Sequence, residues 1–137
     1  MTQSQRILIA SDVLDETLRQ TLTENRFETS WVADAGAALD KLATSACDLL
    51  IIDLADADVA TSLLRHLRGK SVTSNLPILT IAEWGTGQTT LALSLGADAF
   101  ERKPSEAASV LAAVEKLLRP RMAMTARASI SSELEDE

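Results

Sequence analysis

The sequence predicts a parallel α/β sheet of five strands with helices on both faces, and three observations carry that prediction. Short apolar runs alternate strictly with stretches whose apolar residues recur at helical spacing. The central run, Leu49 to Ile52, has no polar interruption, which suits a strand buried on both faces. The runs close on polar residues, among them Asp12, Asp53 and Lys103. Right-handed crossovers then leave few arrangements other than a parallel sheet.

Arg6 to Ala10 ends on Ser11 and Asp12 and reads as a buried strand with a polar exit. Leu14, Leu18 and Leu22 follow at helical spacing to about Asn25. Phe27 to Ala33, with Thr29, Trp31 and Val32, fits a second strand, after which Asp34 caps a helix carrying Leu39, Leu42, Ala43 and Ala46. Strand three follows, with Cys47 expected as a small hydrophobe at its entrance. Leu63, Leu64 and Leu67 mark a third helix ended by Gly69, and a polar loop leads to Pro77 and strand four, Ile78 to Ala82. Beyond the loop EWGTG, Thr90 to Leu95 makes a short helix stopped by Gly96, and Ala99 to Arg102 makes strand five. Ser105 is the expected N-cap of the last helix, whose Ala107, Val110, Leu111, Val114, Leu117 and Leu118 share one face until Pro120. Residues 1–120 therefore read as one domain, and residues 121–137, with Met122, Met124 and RASISSELEDE, as a flexible tail or truncated linker.

Composition excludes several classes. A chain of 137 residues with 46% hydrophobic residues is long enough to bury a core. Its longest apolar run is far short of a membrane span, and MTQSQRILIA lacks the apolar core of a secretory signal, so the cytoplasm is the expected location. One cysteine makes no internal disulfide and, with the single His66, no structural zinc site. The net charge is −7, and no basic stripe offers itself to duplex nucleic acid. A cation is the better-matched ligand for acids gathered at strand ends. Gly85 and Gly87 lack the third glycine of a dinucleotide loop, no Walker sequence occurs, and the DxD of a dehalogenase-type phosphatase fails because position 55 is Ala. His66 is expected on the surface. Trp84 reads either as a partner anchor or as a lid over the fourth helix.

In a parallel sheet Asp12, Asp53 and Lys103 share the carboxyl edge, where open α/β sheets bind ligands. Two carboxylates there are hard oxygen ligands suited to magnesium, and the lysine supplies a fixed positive charge. Asp is a weak nucleophile, yet it can attack a phosphoryl group whose charge metal and ammonium neutralise. Plain ion pairing among the three residues, or helix capping by Asp53, are the structural alternatives.

At these residues the sequence resembles the response-regulator receiver domain over about residues 6 to 118. The resemblance rests on ILIASD, DLLIIDL, PILTIA and GADAFERKP, in order and at receiver-like spacing. It implies a flavodoxin-like sheet in the order 2-1-3-4-5 and two-component phosphorelay signalling through protein–protein interaction rather than enzymatic turnover. It further implies that Asp53 is the phosphoacceptor and that Lys103 binds the phosphate. Weakly bound Mg²⁺ is expected on Asp12, Asp53 and the backbone carbonyl of Ala55. The implied partners are a histidine kinase or phosphotransfer protein and a downstream protein or missing output domain. A homodimer is compatible, whereas direct nucleic-acid or membrane contact is not expected. The Lys103–Pro104 bond is expected to be cis.

The departures matter as much. Ser11 stands where receivers carry the first of two adjacent acids, which removes one charge from the metal pocket. Ala82 stands where strand four usually ends in Ser or Thr, the hydroxyl that follows the phosphoryl oxygen. Thr80 lies two residues deeper, roughly 7 Å by strand rise, and Thr86 lies in a loop. Phe100 keeps the aromatic switch position, while ADADVA replaces the family's Met-Pro and Asp-Gly turn. The competing reading is a pseudo-receiver, a phosphorylation-independent binding or dimerisation module.

Overall fold

The apolar residues ahead of Asp53 form the middle strand of the sheet, with Leu49, Leu50, Ile51 and Ile52 all 0% exposed. In the computed structural model, which describes residues 5–83 and 92–118, the elements run in order. They are β1 (Arg6–Ser11), α1 (Glu16–Glu24), β2 (Glu28–Val32), α2 (Ala35–Thr44), β3 (Leu49–Asp53), α3 (Ala57–Arg68) and β4 (Ile78–Ala82). A helical stretch at 92–94 (α4), β5 (Ala99–Arg102) and a helix at 107–118 (α5) complete them. The sheet is five-stranded, its pairs are all parallel, and its order is β2-β1-β3-β4-β5. Strand five has the predicted bounds. The Lys103–Pro104 peptide bond is cis, as the sequence reading expected.

Alternation along the strands splits the core in two. Leu8, Leu50, Ile52, Ile78 and Ala82 face α2, α3 and the α4 region through Ala38, Leu63, Leu64, Leu67 and Ala92. Ile7, Ile9, Leu49, Ile51, Leu79 and Ile81 face α1 and α5 through Leu18, Leu22, Val110, Val114 and Leu118. Each leucine, isoleucine or valine among them contributes about 1.5–3 kcal/mol by leaving water. Cys47 is half-buried against the first of these clusters, and His66 is exposed.

Aspartates start three helices. Asp15 Oδ1 accepts from the Leu18 N–H at 3.1 Å and Asp34 Oδ1 from the Ala37 N–H at 2.7 Å. Asp56 Oδ1 accepts from Asp58 and Val59. The cap of α3 is thus Asp56, which leaves Asp53 for another role. The capping expectation for Ser105 is corrected: α5 begins at residue 107, and the Glu106 carbonyl takes the first helical bond, from Val110 at 3.1 Å. Ser105 therefore stands one residue too early. Ala46 is likewise not a helical core residue, because α2 ends at Thr44 and Ala46 is exposed.

Trp84, Gly85, Thr86, Gly87, the start of the fourth helix and the tail from residue 119 lie outside the described residues. Among the described residues no helix is long and apolar enough to cross a membrane.

Candidate phosphoacceptor site

Parallel pairing sets Ser11 opposite Asp53, so the exits of β1 and β3 lie side by side. Lys103 reaches the same edge because its N–H donates to the Ala82 carbonyl at 2.9 Å, extending the β4–β5 ladder past Arg102. Its Nζ lies 2.7 Å from Asp53 Oδ1. The carboxylate is the more enclosed partner, with its side chain 14% exposed against 38% for the lysine. Burial pushes the Asp53 carboxyl above its ordinary pKa. The hydrogen bond and charge of Lys103 pull the other way, and the negative charges of Asp12 and Asp15 add to the upward push.

Asp12 comes next along the rim. Its N–H points at the Asp53 carbonyl, 3.4 Å away, and its Oδ2 accepts from the Ala55 N–H at 2.6 Å. Asp12, Asp53, Ala55 and Lys103 are thus brought together at one edge. A cleft of about 430 Å³ opens beside them, lined by Asp53 and Lys103 together with Val13, Leu14, Glu83 and Pro104. This cleft gives a phosphoryl group room to approach the carboxylate.

The two substituted positions show what they have become. Ser11 is 2% exposed, and its hydroxyl donates to the Val13 carbonyl at 2.6 Å. The proton of that hydroxyl is spent on closing a turn. Ala82 is 3% exposed and presents a methyl group among the apolar residues facing α3. Thr80, in register with Phe100, is 0% exposed, and its Oγ1 has no hydrogen-bond partner. Phe100 is half-buried against the same cluster.

Among the described residues no group of three or more Asp, Glu, His or Cys side chains gathers in the manner of a metal cage. The donor set present, two carboxylates and a neighbouring carbonyl, fits a magnesium ion that keeps most of its waters, the usual habit of that cation. One oxygen of each carboxylate is already engaged, Asp12 with Ala55 and Asp53 with Lys103.

Sequence reasoning missed three contributors. Asp15 caps α1, and an Asp ahead of Glu16, Leu18 and Leu22 is the helix-start signal that could have found it. Trp31 carries only a strand signal in the sequence, yet its Nε1 donates to the Ser11 carbonyl at 3.0 Å. Arg68 was not singled out at all, and it ties three segments together.

No family model matches the chain. Over 120 residues it is 32% identical to the response regulator MprA of Mycobacterium tuberculosis, an alignment covering 85% of this chain and 51% of that protein. The chain thus spans about half the length of the curated relatives it matches. Among solved structures it is similar to the signal receiver domain of a signal transduction histidine kinase from Syntrophus aciditrophicus. That likeness has a TM-score of 0.78 and 26% identity and covers 85% of this chain and 92% of the other. The chemotaxis response regulator CheY4 of Vibrio cholerae shares the fold at a TM-score of 0.75 and 20% identity, covering 84% of this chain and 99% of that one. HP1043, an orphan response regulator of H. pylori, does so at 0.76 and 19%, covering 86% and 99%.

Proposed function

We propose that this chain, which belongs to the response-regulator receiver domains, accepts a phosphoryl group on Asp53 and passes the signal to a protein partner. The observation that carries the reading is the 2.7 Å contact of Lys103 with a half-buried Asp53, one register step from Asp12. A histidine kinase or phosphotransfer protein is the donor that fits. The Asp53 oxygen not held by Lys103 attacks phosphorus, the phosphorus–nitrogen bond breaks, and its electron pair returns to the imidazole, which takes up a proton. Lys103 keeps the attacking carboxylate oriented and faces the added negative charge. Asp12, Asp53 and the Ala55 carbonyl would hold a magnesium ion, which would supply the charge neutralisation that lets a carboxylate approach a phosphoryl group. Incubation with a small phosphodonor and magnesium, followed by intact-mass measurement, tests this directly. A protein that gains no mass is not a phosphoacceptor.

Ser11 predicts a weak metal site. Ser11→Asp should tighten magnesium binding about tenfold by adding a second carboxylate at the β1 exit, the third in the pocket. It should also lower stability, since the position is 2% exposed and the bond to Val13 is lost. Calorimetric titration of both proteins decides it, and an unchanged affinity would mean that position 11 does not face the cation.

A second reading, a pseudo-receiver acting by binding or dimerisation alone, is favoured by one observation: Ala82 offers no hydroxyl to a phosphoryl oxygen. A bound group shifts an equilibrium only through differential contact with its two states. Beryllofluoride, a phosphoryl mimic, should therefore move the NMR shifts of Phe100 little in this chain and more in Ala82→Thr. The added atoms in a site 3% exposed should cost about 1–3 kcal/mol of stability. A large Phe100 response in the parent chain would contradict the muted switch and point to another coupling residue.

A further inference from the structure

We propose that Trp31 is a positioning residue for the Asp12 carboxylate: its indole N–H grips the Ser11–Asp12 peptide group from the side opposite β3. Trp31 lies on β2, an edge strand, in register with Ile9. The ladder between β1 and β2 ends at Ala10 and Val32, one residue short of Ser11. The indole reaches past that end, and Nε1 donates to the Ser11 carbonyl at 3.0 Å, in the place a further backbone donor would take. The N–H of the same peptide group, that of Asp12, points at the Asp53 carbonyl 3.4 Å away. One peptide plane is therefore held at both edges, by Trp31 on one strand and by β3 on the other.

The next bond along the chain carries the Asp12 side chain, which ends on the Ala55 N–H at 2.6 Å. Orientation of the Ser11–Asp12 peptide thus sets where the Asp12 carboxylate points. Trp31 remains 42% exposed, so filling the core does not account for a tryptophan here, whereas the directed donor does. Ser11 adds to the same arrangement by closing its hydroxyl onto Val13 at 2.6 Å. With only one acid on the β1 exit, the aim of that acid carries more weight than it would in a pair.

Only the magnesium arm of the test rests on the phosphoacceptor reading. Trp31→Phe keeps the ring and deletes the donor. Without metal, amide exchange at Ala55 should accelerate about fivefold, the factor that one ordinary hydrogen bond corresponds to, while Leu64 in α3 stays unchanged. Magnesium affinity should fall by a similar factor. A lower melting temperature with Ala55 exchange unaltered would overturn the proposal and leave Trp31 as edge-strand packing. Faster Ala55 exchange in a chain that binds no magnesium at all would support the positioning role and sink the phosphoacceptor reading separately. Should the variant fail to fold, the coupling is read from the other end. Asp12→Asn in the chain with Trp31 intact must then shift the indole N–H resonance, because coupling between two sites is reciprocal. An indole resonance that ignores Asp12 overturns the proposal.

Discussion

Asp53→Asn will take up no phosphoryl group, and near neutral pH it will be more stable than the parent chain. The first half follows from the chemistry: the amide nitrogen and oxygen of Asn cannot supply the carboxylate nucleophile. The second half follows from the raised pKa of Asp53, whose leading cause is burial. A carboxyl that ionises less readily in the native state binds its proton more tightly there than in the unfolded chain. Between the ordinary value of 3.8 and the raised native value, the native protein holds the extra proton, so stability falls as pH rises through that window. Above the window the ionised carboxylate is a constant cost, which Lys103 at 2.7 Å only partly offsets. Asn removes that cost and still accepts a hydrogen bond from Lys103, which at 38% exposure keeps water as well. Thermal melts from pH 3 to pH 8 should show the advantage of Asp53→Asn shrinking towards zero below the unfolded value, where both states of the parent are protonated. An Asn variant that gains the phosphoryl mass would place the acceptor elsewhere. One that is less stable than the parent at neutral pH would mean that the Lys103 contact outweighs burial.

A raised pKa at Asp53 is the direction expected of the proposed phosphoacceptor. A salt bridge optimised for stability would hold its aspartate below the ordinary range, whereas Asp53 is held above it by enclosure and by Asp12 and Asp15. Enclosure of Asp53 thus works against the Lys103 contact instead of reinforcing it. The three capping aspartates, Asp15, Asp34 and Asp56, meet the helix-start requirement without it.

The strands were legible because each buried run stops at a polar residue, and their parallel pairing then places Asp53 and Lys103 at one edge without any knowledge of the loops between. The substitutions at Ser11 and Ala82 were legible as missing groups. What replaced them was not. That the Ser11 hydroxyl turns onto Val13, that Trp31 reaches its carbonyl, and that Thr80 is enclosed with its hydroxyl unpartnered all depend on side-chain directions. No periodicity records those directions. The misplaced cap at Ser105 has the same origin, since Ser105 and Glu106 both suit a helix start and only the backbone path decides between them.

Arg68→Ala should cost about 2–4 kcal/mol of unfolding free energy while leaving uptake of the phosphoryl group by Asp53 intact. The guanidinium is a junction. Its Nε and Nη2 donate to the Gly96 carbonyl at 2.9 and 2.7 Å, and its Nη1 donates to the Thr73 and Ser74 carbonyls at 3.0 and 3.2 Å. Its Nη2 also meets Asp98 Oδ2 at 2.9 Å, and the same oxygen accepts from the Ile78 N–H at 2.8 Å. With the arginine side chain only 18% exposed, truncation strands the part-buried carbonyls of Thr73, Ser74 and Gly96, while the Asp98 carboxylate, 44% exposed, turns to water. Arg68→Lys should recover little, because a single ammonium cannot span this fan of acceptors. Gly96 shows how closely the junction is packed. It adopts φ +118°, and a Cβ there would lie 2.6 Å from Arg68 Cγ, so even Ala is excluded on two counts. All of these contacts lie where β4 and β5 begin, at the opposite edge of the sheet from Asp53 and Lys103. Urea unfolding of Arg68→Ala, paired with intact-mass measurement after exposure to a phosphodonor, separates the two consequences. A stability loss below about 0.5 kcal/mol would show that water replaces the network freely. A folded variant that no longer takes up the phosphoryl group would show that the start of β5 controls the placement of Lys103 at its end.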